Sequence, residues 1–176
     1  MADIFIGLDP SLTGFGVAAV GPGYDRTWLI SPKTHGVDRL LEIGFTLGDI
    51  FAEVGIRQIK DVALEDTVRA SYSALVLGEL AGIVKTTCHT ILQGQAKYPL
   101  KVPPNSLKRY ATGRGNAKKI EVILSVYKHW GREFRDDNEA DAFVLAQMAS
   151  GYAKTAVQRT VLEQLADPKF RDGYVL

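Results

Sequence analysis

The chain has 176 residues, of which 46% are hydrophobic and 23% charged, a composition that predicts one globular unit and excludes a disordered chain. No apolar run reaches the roughly 18 residues needed to span a bilayer, and no basic stretch precedes the first apolar run, so we expect neither a membrane segment nor a secretory signal. The formal net charge is only +1, and the single cysteine, Cys88, cannot form an internal disulfide, which favours a cytosolic protein.

The first third of the chain predicts three strands followed by a helix. Apolar residues dominate positions 4–8 and resume at 14–20 after the turn Asp9-Pro-Ser, and positions 27–30 can supply a third strand. These strands predict an antiparallel meander. From Val37 to Val54 the apolar residues recur every three or four positions, which is the period of a helix.

The rest of the chain alternates between strand and helix signals. Strands are predicted at 61–64 and 100–102, and helices near 72–90, 105–112, 120–127 and 137–153. Asn105 is placed to cap the second of these helices. The buried stripe of the third is expected to consist of Ile120, Ile123, Leu124 and Tyr127. Strands joined through helices are usually parallel, so the predicted fold is an α/β domain with a mixed central sheet flanked by helices.

The domain is expected to span residues 1–154, followed by a C-terminal tail at 155–176. The tail contains one possible amphipathic turn at 161–165 and then becomes polar. Its role is left open by the sequence.

Basic charge is concentrated in one segment. Residues 97–135 carry ten Lys or Arg side chains against two Asp or Glu, whereas both flanking segments are acidic. Lysine and arginine neutralise phosphates, so the segment indicates an anionic partner held near carboxylates. A solvated basic helix face is the alternative interpretation.

Three acidic residues lie within apolar sequence. Asp9 and Glu65 each follow the apolar residues of a predicted strand, and Asp141 lies between two alanines on the last predicted helix. A carboxylate withdrawn from water is unfavourable unless it is paired or binds a cation, and several carboxylates together are typical of Mg²⁺ or Mn²⁺ sites. Taken singly, each acid could instead be a helix cap or an ion-pair partner. Asp137 and Asn138 precede Asp141 by four and three residues and can share its helix face.

Four motifs give the chain a resemblance to a known family. The segments are Ile6-Gly-Leu-Asp9-Pro-Ser-Leu-Thr-Gly14-Phe-Gly-Val17, Ala63-Leu-Glu65, the basic pair Pro104-Asn-Ser-Leu-Lys108 and Gly113-Arg-Gly-Asn-Ala-Lys-Lys119, and Asn138-Glu-Ala-Asp141-Ala-Phe-Val-Leu-Ala146. In this order they resemble the RuvC-type Holliday junction resolvases, which have the ribonuclease H-like fold. The short segment after Glu65 is similar to the phage-type branch of that family.

The resemblance implies a metal-dependent endonuclease that cuts branched DNA. Its catalytic residues would be Asp9, Glu65, Asp141 and Lys119, with two Mg²⁺ or Mn²⁺ ions held by Asp9, Glu65, Asp141 and either Asn138 or Asp137. The implied DNA contacts are Lys108, Arg109, Arg114, Lys118 and Lys119. Paired symmetric nicks with 3′-hydroxyl and 5′-phosphate ends are expected, made by a homodimer whose contact helix runs from Tyr72 to about Thr90.

The sequence departs from the family pattern at two places, and both affect which roles the resemblance assigns. Asn138 stands where the family usually has Asp or His, so Asp137 can share or take the role of that ligand. No aromatic wedge directly follows Glu65, and Tyr72 is the nearest aromatic residue, so a preferred cleavage sequence is not transferred.

Two other functions remain open at this point. The same metal site fits a nuclease that acts on RNA–DNA hybrid or on other DNA. A non-catalytic junction-binding protein is the second, although carboxylates next to phosphates would weaken the binding of a protein that does not use them.

Overall fold

The computed structural model describes residues 2–66 and 74–171, which contain five strands and six α-helices. The strands are β1 (Ile4–Asp9), β2 (Phe15–Gly21), β3 (Tyr24–Ile30), β4 (Ile59–Glu65) and β5 (Leu100–Val102). The helices are α1 (Gly36–Val54), α2 (Ala74–Ile91), α3 (Pro104–Thr112), α4 (Lys119–Trp130), α5 (Asp137–Ala149) and α6 (Ala156–Leu165).

The strands form one mixed sheet in the order β3-β2-β1-β4-β5. Strand β2 pairs antiparallel with β1 and β3, whereas β4 pairs parallel with β1 and β5. The predicted meander and the predicted parallel strands are both confirmed. Because β1 and β4 are parallel neighbours, their carboxyl ends lie side by side at one edge of the sheet.

Helices cover both faces of the sheet. Successive side chains of a strand point to opposite faces, so Ile4, Ile6 and Leu8 pack with α1 and α2 in one core cluster. On the other face Ala18 and Val20 pack in a second cluster with α3, α4, α5 and α6. The two clusters explain why β1 and β2 are almost entirely buried.

Helix α5 lies unusually close to the strands because two glycines make room for it. A Cβ atom on Gly7 would overlap the backbone of Ala142 and Ala146, and one on Gly16 would overlap the carbonyl of Asn138. The first turns of α5 therefore sit directly against β1 and β2. This contact determines where Asp141 meets the sheet edge.

Helix α4 corrects one prediction. Ile120, Leu124 and Tyr127 were expected to be buried, yet they are 57%, 51% and 53% exposed. The helix instead buries Val122, Ser125 and Val126, while Ile123 is partly buried. Both sets have helical spacing, so periodicity alone does not determine which of them faces the core.

Two predicted helix ends are also wrong. Asn105 lies inside α3, which begins at Pro104 with Pro103 as its N-cap, because proline is well suited to the first helical position. Helix α5 ends at Ala149 instead of continuing to 153. Gly151 follows with a φ of 73°, a left-handed conformation that a helix cannot continue through.

Residues 155–171 pack onto the rest of the domain. Helix α6 contacts α3 and contributes Val161 and Leu165 to the second core cluster. Beyond it, the Arg171 guanidinium donates to both carboxylate oxygens of Asp61, each at 2.6 Å. No helix within 2–66 and 74–171 is long and apolar enough to cross a membrane.

Candidate active site

Three carboxyl groups meet at the edge of the sheet where β1 and β4 end. Asp9 is the last residue of β1, and Glu65 is the last residue of the adjacent parallel strand β4. Their side chains are hydrogen-bonded to each other, and Asp141 on α5 is close enough to raise the pKa of Asp9. Three distant parts of the sequence thus supply one acidic cluster.

The pKa values of all three carboxyl groups are raised, because the groups are withdrawn from water and lie close together. Burial, followed by the charge of Glu65, raises the pKa of Asp9 from 3.8 to about 9; its side chain is only 6% exposed. Burial and then Glu65 raise the pKa of Asp141 to about 7, and burial also raises the pKa of Glu65. The three groups cannot all be ionised cheaply, so positive charge at this position would be strongly stabilised.

Two lysines supply part of that positive charge. Lys108 on α3 lowers the pKa of Glu65 and of Asp141, and Lys119 at the start of α4 lowers the pKa of Asp9, Glu65 and Asp141. Both predicted phosphate-contacting lysines therefore lie within electrostatic range of the acids. The Lys119 ammonium also forms an ion pair with Asp137.

Buried contacts hold the two lysine-bearing helices in place. The Ser125 hydroxyl of α4 donates to the Ala111 carbonyl of α3, and the Tyr110 hydroxyl of α3 donates to the Tyr152 carbonyl after α5. Leu107 and Val126 pack in the same core cluster. The lysines consequently extend from a well-packed frame, in which Lys108 is half-buried and Lys119 is exposed.

The first turn of α5 carries Asn138 and Asp137, the two alternatives for the fourth metal ligand. The Asp136 carboxylate caps the helix by accepting from the backbone N–H groups of Asn138 and Glu139, at 2.9 and 3.2 Å. The amide nitrogen of Asn138 lies 3.2 Å from where a Cβ of Gly14 would stand, so this side chain faces the loop that follows Asp9. Asp137 instead pairs with Lys119.

The other predicted DNA contacts lie on α3, which carries Lys108, and in the loop that leads to Lys119. Arg109 and Lys118 are exposed on and after α3, and Arg114 is exposed while paired with Glu121. Glu121 also accepts from the Lys118 backbone N–H at 2.7 Å, which ties the loop between α3 and α4 to the first turn of α4.

Two residues near the cluster were not predicted from the sequence. The Ser11 hydroxyl accepts from the backbone N–H of Gly14 at 3.4 Å and shapes the loop after Asp9. The charge of Asp66, directly after Glu65, raises the pKa of Glu65. The available signal for Asp66 was the pair of consecutive acids at a strand end. The wedge candidate Tyr72 lies outside the described residues.

The donor chemistry of the cluster fits a hard divalent cation. Carboxylates withdrawn from water are ligands that Mg²⁺ and Mn²⁺ prefer, and a cation would offset the repulsion that contributes to the raised pKa of Asp9 and of Asp141. As the side chains stand, no three Asp, Glu, His or Cys residues within 2–66 and 74–171 are grouped closely enough to hold an ion. Binding would therefore draw the carboxylates inward.

Comparison with known proteins gives two curated relatives. The chain is 32% identical over 158 residues to the crossover junction endodeoxyribonuclease RuvC of Rickettsia typhi, covering 81% of this chain and 94% of that protein. It is 28% identical over 159 residues to the RuvC of Chlamydia muridarum, covering 83% and 90%. No protein-family model matches.

Solved structures give the same fold. The RuvC of Thermus thermophilus in complex with a Holliday junction substrate matches with a TM-score of 0.63 and 22% identity, over 82% of this chain and 90% of that one. A second T. thermophilus RuvC structure matches with a TM-score of 0.65 and 18% identity, over 96% and 98%. The predicted ribonuclease H-like fold is confirmed.

Proposed function

Because the chain belongs to the RuvC family of crossover junction endodeoxyribonucleases, we propose that it resolves four-way DNA junctions by hydrolysing phosphodiester bonds beside Asp9, Glu65 and Asp141. The observation that carries this proposal is the convergence of the buried Asp9 with the half-buried Glu65 and Asp141 at a sheet edge, within electrostatic range of Lys108 and Lys119. The reaction makes paired, symmetric nicks that leave 3′-hydroxyl and 5′-phosphate ends. Its place is the cytosol of a bacterium or of a phage-infected host.

The acidic cluster is the metal-binding part of the site. Asp9 would help to hold both ions, Glu65 one of them, and Asp141 with Asn138 or Asp137 the other. When bound, two Mg²⁺ or Mn²⁺ ions supply an activated water and a stabilised leaving oxygen. The burial that raises the pKa of Asp9 also keeps water away from the carboxylates, so their attraction for a cation is poorly screened.

The basic residues hold the substrate. Lys119 offsets the charge that accumulates on the phosphate during the displacement, and Lys108 holds the backbone of the cut strand. Arg109, Arg114 and Lys118, which are neighbours of these two lysines in sequence, neutralise flanking phosphates. None of these contacts reads a base, so they favour the shape of the junction over its sequence.

A homodimer would present two such sites to the two equivalent strands of a junction. The outer side of the α1–α2 pair supports this arrangement, since Phe45 and Leu75 are 71% and 79% exposed. Along α2, a Cβ on Gly78 or Gly82 would meet no atom within 4 Å, so packing inside the described chain does not require glycine there. Bare glycines on an exposed helix face permit a second helix to approach closely.

Cleavage of a synthetic four-way junction tests the proposed activity. The protein is incubated with Mg²⁺ or Mn²⁺ and compared with Asp9→Asn, with linear duplex and RNA–DNA hybrid as further substrates. Symmetric nicks on the junction that disappear in Asp9→Asn are the expected result. Cleavage of the hybrid alone would contradict the junction as substrate, and tight junction binding without any cleavage would contradict the nuclease.

A further inference from the structure

The ion pair between Lys119 and Asp137 joins the first residues of two helices. Asp137 is the first residue of α5 and Lys119 the first residue of α4, and the Lys119 ammonium contacts one carboxylate oxygen of Asp137. The lysine side chain is 69% exposed and the aspartate 32%. The pair therefore stands at the mouth of the acidic cluster and not inside it.

The geometry of the first turn of α5 separates the roles of its neighbouring residues. The Asp136 carboxylate is occupied by the backbone N–H groups of Asn138 and Glu139, and Asn138 faces the loop after Asp9. Asp137 points instead towards α4. It is the residue of this turn that contacts the ammonium of Lys119.

We propose that Asp137 is a positioning residue, which holds the Lys119 ammonium at the edge of the carboxylate cluster, in place of the metal-ligand role that its sequence position also allows. This inference rests on the proposed nuclease function. It gives Asp137 no contact with the substrate, so the aspartate acts only through the lysine.

A lysine at the start of α4 needs such a partner because its side chain is long and flexible. A free lysine side chain has many rotamers of similar energy and can reach many positions. An exposed ion pair adds little to the stability of the fold, so the benefit of this pair lies in the position of the ammonium. Without Asp137, Lys119 would also be free to pair with Asp141 or Asp9, whose charges act on it already.

The first test is single-turnover cleavage of a four-way junction by Asp137→Asn and Asp137→Glu, with Glu133→Gln as an exposed acidic control on the preceding loop. We expect Asp137→Asn to lower the cleavage rate about tenfold at unchanged junction affinity, because a misplaced group loses rate more than binding. Asp137→Glu should recover most of the rate, and Glu133→Gln should retain it. The Mg²⁺ concentration for half-maximal rate should stay within about twofold of that of the unmodified protein in every variant.

A double substitution separates positioning from ligation. In a Lys119→Met background, where cleavage is expected to be about 10²-fold slower, Asp137→Asn should cause no further loss. An additive loss, or a marked rise in the Mg²⁺ requirement of Asp137→Asn, would overturn the inference and favour a metal ligand.

The position of the Lys119 ammonium can also be tested without measuring cleavage, so the positioning role and the nuclease activity are tested separately. Reductive methylation of metal-free protein, followed by peptide mass spectrometry, reports how available each lysine is, with Lys128 as internal reference. We expect Asp137→Asn to increase the modification rate of Lys119 about threefold or more and to leave Lys128 unchanged. An unchanged rate at Lys119 would overturn the positioning role even if the protein cuts junctions. A chain that cuts none would overturn the nuclease proposal while this measurement still reports the ion pair.

Discussion

Ionising Asp9 is more unfavourable than ionising Asp141, as its higher pKa indicates. It lies almost fully buried at the end of a strand that is paired on both sides, and the charge of Lys119 offsets only part of the hydration that burial removes. The Asp9–Glu65 hydrogen bond indicates how the pair accommodates this, because one proton shared between two carboxyls removes one charge. A binding site arranged in this way trades stability for cation affinity.

We expect the stability of the metal-free protein to depend on pH. The pKa of Asp9 is raised to about 9 in the folded protein from 3.8, so the folded state keeps a proton that the unfolded chain releases. Stability is therefore fully present below about pH 4 and is lost as the pH rises towards 9. Asp9→Asn should flatten this decline and stabilise metal-free protein at pH 8 by about 1 kcal/mol or more.

Thermal unfolding in the presence of a chelator, between pH 5 and pH 9, measures this effect. The control is Asp49→Asn, an exposed aspartate of α1, which should leave the slope unchanged. An equally steep decline in Asp9→Asn and the unmodified protein would contradict the assignment of the cost to Asp9. Added Mg²⁺ should restore stability only where Asp9 is intact, because a ligand that binds the folded state alone stabilises it.

At the scale of elements, the contact between α5 and the sheet controls the site. Gly7 lets the backbone of α5 rest on β1, and the resulting position brings Asp141 within range of Asp9. We expect Gly7→Ala to reduce the free energy of unfolding by about 3 kcal/mol or more, because backbone that closely packed cannot give way. Junction cleavage should fall as well, since Asp141 would move away from Asp9.

Urea unfolding measures the stability effect, with Gly23→Ala as the matched control. Gly23 has a φ of 72°, and no atom lies within 4 Å of the position of its Cβ. Alanine at this position would therefore strain the backbone without overlapping any neighbouring atom. Its expected loss is about 1 kcal/mol. Equal losses at the two glycines would show that the close approach of α5 is not what Gly7 provides.

Helix α4 gives a second element-scale prediction. Leu124 is half exposed, whereas Val126 is fully buried on the opposite side of the same helix. Leu124→Gln should change the free energy of unfolding by no more than about 0.5 kcal/mol, and Val126→Ala should reduce it by about 1–3 kcal/mol. If Leu124→Gln reduced the free energy of unfolding more than Val126→Ala in chemical unfolding, the stripe of Ile120, Leu124 and Tyr127 would be the buried one.

Sequence patterns predicted the elements better than their orientation. The meander, the parallel strands and the acids at strand ends followed from local periodicity and from where apolar runs stop. The buried face of α4 did not, because it depends on contacts with α3 and α5 that local spacing does not encode. The pairing of Asp137 with Lys119 likewise depends on a meeting of two helix starts 18 positions apart in sequence.

At the scale of the whole molecule, most of the large exposed apolar side chains of the described residues belong to helices α1, α2 and α4, with Leu29 of β3 as the exception. Those of the α1–α2 pair include Val37, Leu41 and Phe45, spaced by four residues along one side of α1, together with Leu75 and Val76. Those of α4 are Ile120, Leu124 and Tyr127 on the other side of the sheet. Paired cleavage would require two active sites on one junction. The α1–α2 pair carries more of these exposed side chains than α4 and contains the helix that the family resemblance assigns to the dimer contact.

Phe45→Glu tests this assignment against Tyr127→Glu, which places the same charge on the other exposed apolar surface. Because an unpaired carboxylate in an apolar interface is strongly unfavourable, Phe45→Glu should convert a dimer into a folded monomer in sedimentation equilibrium, while Tyr127→Glu should remain dimeric. On a plasmid carrying a cruciform, the dimer should produce linear DNA by two coordinated nicks. The Phe45→Glu monomer should accumulate singly nicked circles, since each encounter delivers one active site. Linear products from a protein that sediments as a monomer would contradict a two-site mechanism, and a dimer that survives Phe45→Glu but not Tyr127→Glu would move the interface to α4.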